Sequence, residues 1–174
     1  MLRPIAVLDL DGDGDPDLVG SQDGVSSMLY RNRYVHGADA GVRRQYGFGT
    51  PGSGQTAPTL GVTGPFRVGE TVRFLLTGAA PETVSVFAFG TASTVLADTP
   101  LQGLTTYVVP VAWGLLPVGG TATEPGSGNW TLPVWIPNSL EGTTFFHQVF
   151  LVDPSGPSGV TATNGLEIGY GASF

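Results

Sequence analysis

Asp9-Leu10-Asp11-Gly12-Asp13-Gly14-Asp15-Pro16-Asp17 sets five carboxylates at every second position. A row of like charges repels itself, and a hard divalent cation relieves that repulsion. Ca2+ takes six to eight oxygens at about 2.3–2.6 Å and tolerates irregular geometry. With Asp9 as position 1, Asp11, Asp13 and Asp17 fall on positions 3, 5 and 9. Asp15 falls on position 7, which offers its backbone carbonyl. Gly14 falls on position 6, where a sharp turn excludes a side chain. The run is expected to bind one Ca2+ through Asp9, Asp11, Asp13, Asp15 and Asp17.

The site is not an EF-hand. Position 12, where that loop needs a bidentate glutamate, is Gly20, and the flanks are not helical. Ile5-Ala-Val-Leu8 before it and Leu18-Val-Gly20 after it are short apolar runs suited to strands. The stretch from Ile5 to Asn32, IAVLDLDGDGDPDLVGSQDGVSSMLYRN, resembles one FG-GAP-like (VCBS-type) repeat, a β-propeller blade unit of extracellular proteins. The resemblance implies structural calcium, an extracellular location and no catalysis.

A propeller needs several blades to cover one another's faces. The D-x-D-x-D-G pattern occurs here once. A unit of about thirty residues cannot bury its own apolar face. Ile5, Val7, Leu8, Leu18, Val19, Met28, Leu29 and Tyr30 therefore call for a surface to pack on, either the rest of the chain or another copy.

Composition narrows the class further. The 174 residues carry a net charge of −7 and an isoelectric point near 4.5, which disfavours nucleic acid. There is no cysteine, hence no disulfide framework. Met1-Leu-Arg-Pro has no signal-peptide apolar stretch, so an extracellular location requires an export signal outside this numbering. No run approaches the length of a membrane span. Twenty-seven glycines and 14 prolines with 41% hydrophobic residues indicate short strands and tight turns rather than disorder.

Charge marks a boundary. Residues 1–44 hold seven of the 14 acidic and five of the seven basic residues. The Gly/Ser/Thr/Pro segment 45–58 reads as a linker. Residues 59–174 then alternate in the manner of strands: 59–63, 71–77, 83–89, 104–113 interrupted by Pro110, 130–136 with Pro133 inside, 143–153 and 161–169. Proline within a strand indicates an edge or a bulge. Thr143 to Asp153, TTFFHQVFLVD, is the strongest central-strand candidate. The expected fold is all-β, a strand–calcium-loop–strand repeat followed by an Ig-like or jelly-roll-like β-sandwich. The segment 58–78 resembles the opening strands of Ig-like modules of secreted bacterial proteins.

No nucleophile elbow, zinc-protease motif, P-loop or dinucleotide fingerprint is present. His147 reads as a strand histidine satisfied by a neighbour, and His36 as a surface group. Trp113, Trp130 and Trp135 read as core or interface residues before a sugar platform, since Trp130 and Trp135 fall on opposite faces of a continuous strand. Asn129-Trp-Thr131 is a glycosylation sequon in a eukaryotic secreted context. Two functions fit: a calcium-stabilised structural protein polymerising with copies of itself through the repeat, and a polysaccharide- or surface-binding module of a larger secreted protein. Neither requires catalysis.

Overall fold

The computed structural model describes residues 2–8, 17–22, 26–30, 41–97 and 103–172. They form an all-β protein in which no helix is long and apolar enough to cross a membrane. Near the N-terminus β1 (Leu2–Leu8), β2 (Asp17–Gln22) and β3 (Ser26–Tyr30) make an antiparallel sheet in the order β1-β2-β3. Leu8 is the partner of Asp17, and Leu18 of Tyr30.

The remainder is a sandwich. One sheet runs β10-β7-β12-β14-β4, built from Ala112–Pro117, Val84–Gly90, Thr144–Val152, Gly165–Gly169 and Val42–Tyr46. β13 (Val160–Ala162) pairs with the far end of β12. The facing sheet runs β11-β6-β5, from Gly128–Trp135, Thr71–Ala79 and Thr59–Thr63. The chain passes from β6 to β7, from β10 to β11 and from β11 to β12 by changing sheets. Of the two sandwich types expected, this order of three strands facing the β10-β7-β12-β14 set is the Ig-like one.

Alternation places Val72, Phe74 and Leu76 of β6 inward against Phe87, Val149, Leu151, Leu166 and Ile168 of the opposite sheet. This interleaving of two inner faces forms one core. The run expected across 104–113 divides at Pro110 into strands of different layers. β9 (Thr105–Val109) pairs with β8 (Ala92–Ala97), and this hairpin covers the outer face of the larger sheet. Gln148, fully buried beneath it, accepts from the Tyr107 N–H at 2.8 Å and donates to the Thr105 and Thr163 carbonyls at 2.9 Å each. Gly90 allows the close approach, because a Cβ there would lie 1.9 Å from the Val109 oxygen.

The boundary expected at 44/45 and the linker at 45–58 give way to a different arrangement. β4 crosses that boundary and pairs with β14 from Val42↔Gly169 to Tyr46↔Gly165. Its charged residues serve the sheet edge: Arg44 pairs with Glu167 at 2.5 Å, directly across the ladder. Downstream, Asp153 accepts from the Ser53 N–H at 2.6 Å and from the Ser155 N–H and hydroxyl at 3.0 and 2.6 Å. Burial alone would raise the Asp153 carboxyl, but these hydrogen bonds hold it below its ordinary value. Segment 45–58 is thus bonded to the sandwich at several points.

Candidate functional site: an apolar cleft at the open edge of the sandwich

The two edges of the sandwich differ. At the β4/β5 edge, polar side chains join the sheets. Arg43 donates to the Val62 carbonyl at 2.6 Å, and Gln45 to the Leu60 carbonyl at 3.1 Å. Asn164 accepts from the Leu60 N–H at 2.9 Å. The free edge of β5 is thereby satisfied and covered.

At the β10/β11 edge the sheets enclose a cleft of about 340 Å³. Its walls are Phe74, Phe87, Phe89, Phe145, Leu132 and Val134. The Phe74 and Phe87 rings meet edge to face at 5.0 Å, and Phe89 meets Phe145 at 6.3 Å. Behind this wall Trp130 packs edge to face on Phe87 at 5.8 Å. Its indole N–H donates to Ser85 Oγ at 3.0 Å, and that hydroxyl donates to the Leu116 carbonyl at 3.0 Å. Trp113, 66% exposed, stands at the mouth.

Gly114 creates this space. It pairs with inward-facing Phe87 across β10 and β7, so a side chain at 114 would point between the sheets. A Cβ there would meet nothing within 4 Å. The neighbouring inward positions on β10 and β7 are filled, by Leu116, Ser85 and Phe89.

His147 lies in the inner wall, between Phe89 on β7 and Leu166 on β14. Its ring stacks on Phe87 at 5.5 Å with 7° between planes, and lies 4.9 Å from Phe74. It is 5% exposed, and neither ring nitrogen has a hydrogen-bond partner among the described residues. The reading of a histidine satisfied by a neighbour is therefore corrected: the ring packs against Phe74, Phe87, Phe89 and Phe145, and none of them offers a hydrogen bond to its nitrogens. Burial away from any countercharge pushes its pKa down to about 3, so the imidazole is neutral in the fold. Burial likewise pushes Tyr170, also at the cleft, up to about 12. None of the described residues lining the cleft is charged.

No protein-family model and no curated protein matches this chain. The cleft's chemistry is consequently read from its own residues. It can hold an uncharged apolar group, and the unpartnered ring of His147 offers that group one donor and one acceptor beside the Tyr170 hydroxyl.

The other residues singled out in the sequence stand apart from it. Asp9, Asp11, Asp13 and Asp15 lie outside the described residues. Asp17 opens β2 opposite Leu8, and its side chain lies outside them too. Asn129 is exposed at the start of β11, its amide donating to the Ser127 carbonyl at 2.9 Å. Trp130 and Trp135 point to opposite faces of β11. Trp135 is 59% exposed, and its indole N–H donates to the Gly69 carbonyl. Trp130 and Trp135 thus form no shared platform along β11. The residues the sequence reading missed are Gly114 and the phenylalanines facing it. An isolated glycine inside the apolar run Val111–Leu116 is the available signal, since glycine in a strand marks close approach or space.

Proposed function

We propose that this chain is a non-catalytic, extracellular binding module that takes an uncharged apolar group into the β10/β11 cleft. The observation that carries the reading is the cleft itself: aromatic walls, a glycine at the inward position of an edge strand, and one buried histidine without a partner. Catalysis is disfavoured by the same histidine. A general base works best with a pKa near the operating pH, and no carboxylate orients this ring. A polysaccharide suits the cleft poorly, because its many hydroxyls would be buried against phenylalanine without partners. The extracellular and calcium elements of the proposal rest on the aspartate run and its FG-GAP-like resemblance. The antiparallel pairing of the strands flanking that run supports a strand–loop–strand unit.

A neutral fluorescent dye, N-phenyl-1-naphthylamine, tests the reading. Its emission should rise on addition of the protein and should stay low with Gly114→Leu, whose side chain occupies the cleft. Equal enhancement by both proteins would refute the site.

Self-association is a second reading, favoured by β10. Among the described residues this edge strand pairs on one side, and Val111, Trp113 and Leu115 are 65%, 66% and 60% exposed. A second copy adding a strand here would propagate a filament. Sedimentation velocity at rising concentration, with calcium and with chelator, decides it. A monomer throughout removes the polymer reading and leaves the binding module.

A further inference from the structure

We infer that the cleft recognises a neutral aromatic ring bearing one hydroxyl, a phenol of one or two rings, with that hydroxyl bonded to the ring of His147. The inference rests on the proposed reading of the cleft as a binding site and names its ligand class.

Size sets the first limit. A dry cavity of roughly 150 Å³ holds one benzene, so a cleft of about 340 Å³ accommodates a second ring. Wall geometry sets the next. Phe74, Phe87, Phe89 and Phe145 already meet one another or His147 at 4.9–6.4 Å centroid distances. Those are the offset and edge-to-face separations at which a further ring is held better than an alkyl chain of equal area.

Polarity sets the last. His147 and Tyr170 are the polar side chains among the described lining residues, and of the two His147 alone has buried polar atoms without a partner, its two ring nitrogens. A neutral imidazole has one acceptor nitrogen, which takes a hydroxyl proton, and one N–H. A buried polar atom without a partner is costly, so a ligand hydroxyl gains more here than on an exposed surface. A carboxylate or ammonium would enter with no countercharge, because none of the described lining residues is charged. Among ring compounds these limits leave the uncharged phenols. Trp113 at the mouth supplies an optical reporter.

The test titrates the full chain, in calcium, with 2-naphthol, naphthalene and 2-naphthoate by calorimetry. Expected affinity for naphthol exceeds that for naphthalene by about five- to tenfold, the worth of one neutral hydrogen bond. Naphthoate should bind at least about a hundredfold more weakly than naphthol. His147→Phe should keep naphthalene binding and erase the naphthol preference. The 15N shifts of the His147 ring in the unaltered protein should move with naphthol and not with naphthalene, which reads the contact without any substitution. If naphthol and naphthalene bind equally and the ring shifts stay fixed, the phenol inference is overturned while the apolar site stands. Naphthoate binding as tightly as naphthol overturns the requirement for neutrality. If neither neutral ligand binds, or Gly114→Leu binds both undiminished, the cleft is not a site and both readings fall.

Discussion

Acid should weaken this protein through His147, and the size of the effect follows from the ring's surroundings. The imidazole stays neutral in the fold down to about pH 3, against 6.5 for an ordinary histidine. Above pH 6.5 the ring is neutral in both folded and unfolded chains, and its titration costs nothing. Below that value the unfolded chain binds a proton that the folded chain excludes. The contribution to stability is therefore complete above pH 6.5 and is lost as pH falls toward 3. Over the whole interval the loss is about 5 kcal/mol. Between pH 7 and pH 5 it is about 2 kcal/mol, and this figure holds for any folded value well below 5. Urea unfolding followed by tryptophan fluorescence, at both pH values and in saturating calcium, measures it. His147→Phe supplies the control, since every other residue is common to both proteins. The unaltered chain should lose about 2 kcal/mol more than the variant over this range. Parallel losses would show that the ring is hydrated or partnered, and the account of the cleft wall would be wrong.

Three other outcomes are expected. Gln148→Leu strands the Tyr107 N–H and the Thr105 and Thr163 carbonyls, and at about 1–3 kcal/mol for each buried orphan the loss should reach at least about 3 kcal/mol in denaturant unfolding. Deleting residues 1–40 should leave a cooperatively melting sandwich. Deleting 1–46 removes β4 with the Arg43, Gln45 and Arg44–Glu167 contacts, and should lower the calorimetric transition by at least about 5 °C; equal melting would show β4 to be dispensable. Calcium should bind with a dissociation constant of roughly 10⁻⁵–10⁻³ M, and calorimetric titration should show Asp13→Ala severely impaired and Asp15→Asn nearly normal, because position 7 coordinates through its backbone. Equal damage would mean that the assigned register is shifted.

Alternation made much of the sandwich legible. Thr59–Thr63 is a strand as read, because Leu60 and Val62 face the core while its threonines face out. The strand read across 143–153 is central, as Thr144–Val152, because both of its faces are covered, one by the opposite sheet and one by the β8–β9 hairpin. β4 escaped for a physical reason. Its inward positions are Arg43 and Gln45, which satisfy carbonyls of β5 instead of filling a core, and hydrophobic periodicity is blind to that service. β8 escaped because it belongs to a cover, with Val95 and Leu96 largely exposed. The cleft was not legible. It is assembled from β6, β7, β10, β11 and β12, and its decisive residue is a glycine whose contribution is the absence of a side chain. His147 could be placed on a strand from its neighbours, but the lack of any partner for its nitrogens is a property of the fold.

The position of β4 also fixes a mechanical direction. β4 and β10 are the outer strands of the five-strand path through the larger sheet, four spacings apart, or about 19 Å. Whatever precedes residue 41 therefore joins the sandwich at one flank, and whatever occupies the cleft sits at the other. Tension between an anchored N-terminal side and a held ligand would run transversely through four hydrogen-bonded ladders in series, from β4 through β14, β12 and β7 to β10. The Arg44–Glu167 pair and the Arg43 and Gln45 bonds reinforce the ladder nearest the anchor. Ladder length sets where such a load is carried least well: β10 and β7 share six register pairs and β14 and β4 five, whereas β12 and β14 share four, so the shortest ladder of the series lies mid-sheet, and its parting would separate the β4 flank from the strands that wall the cleft.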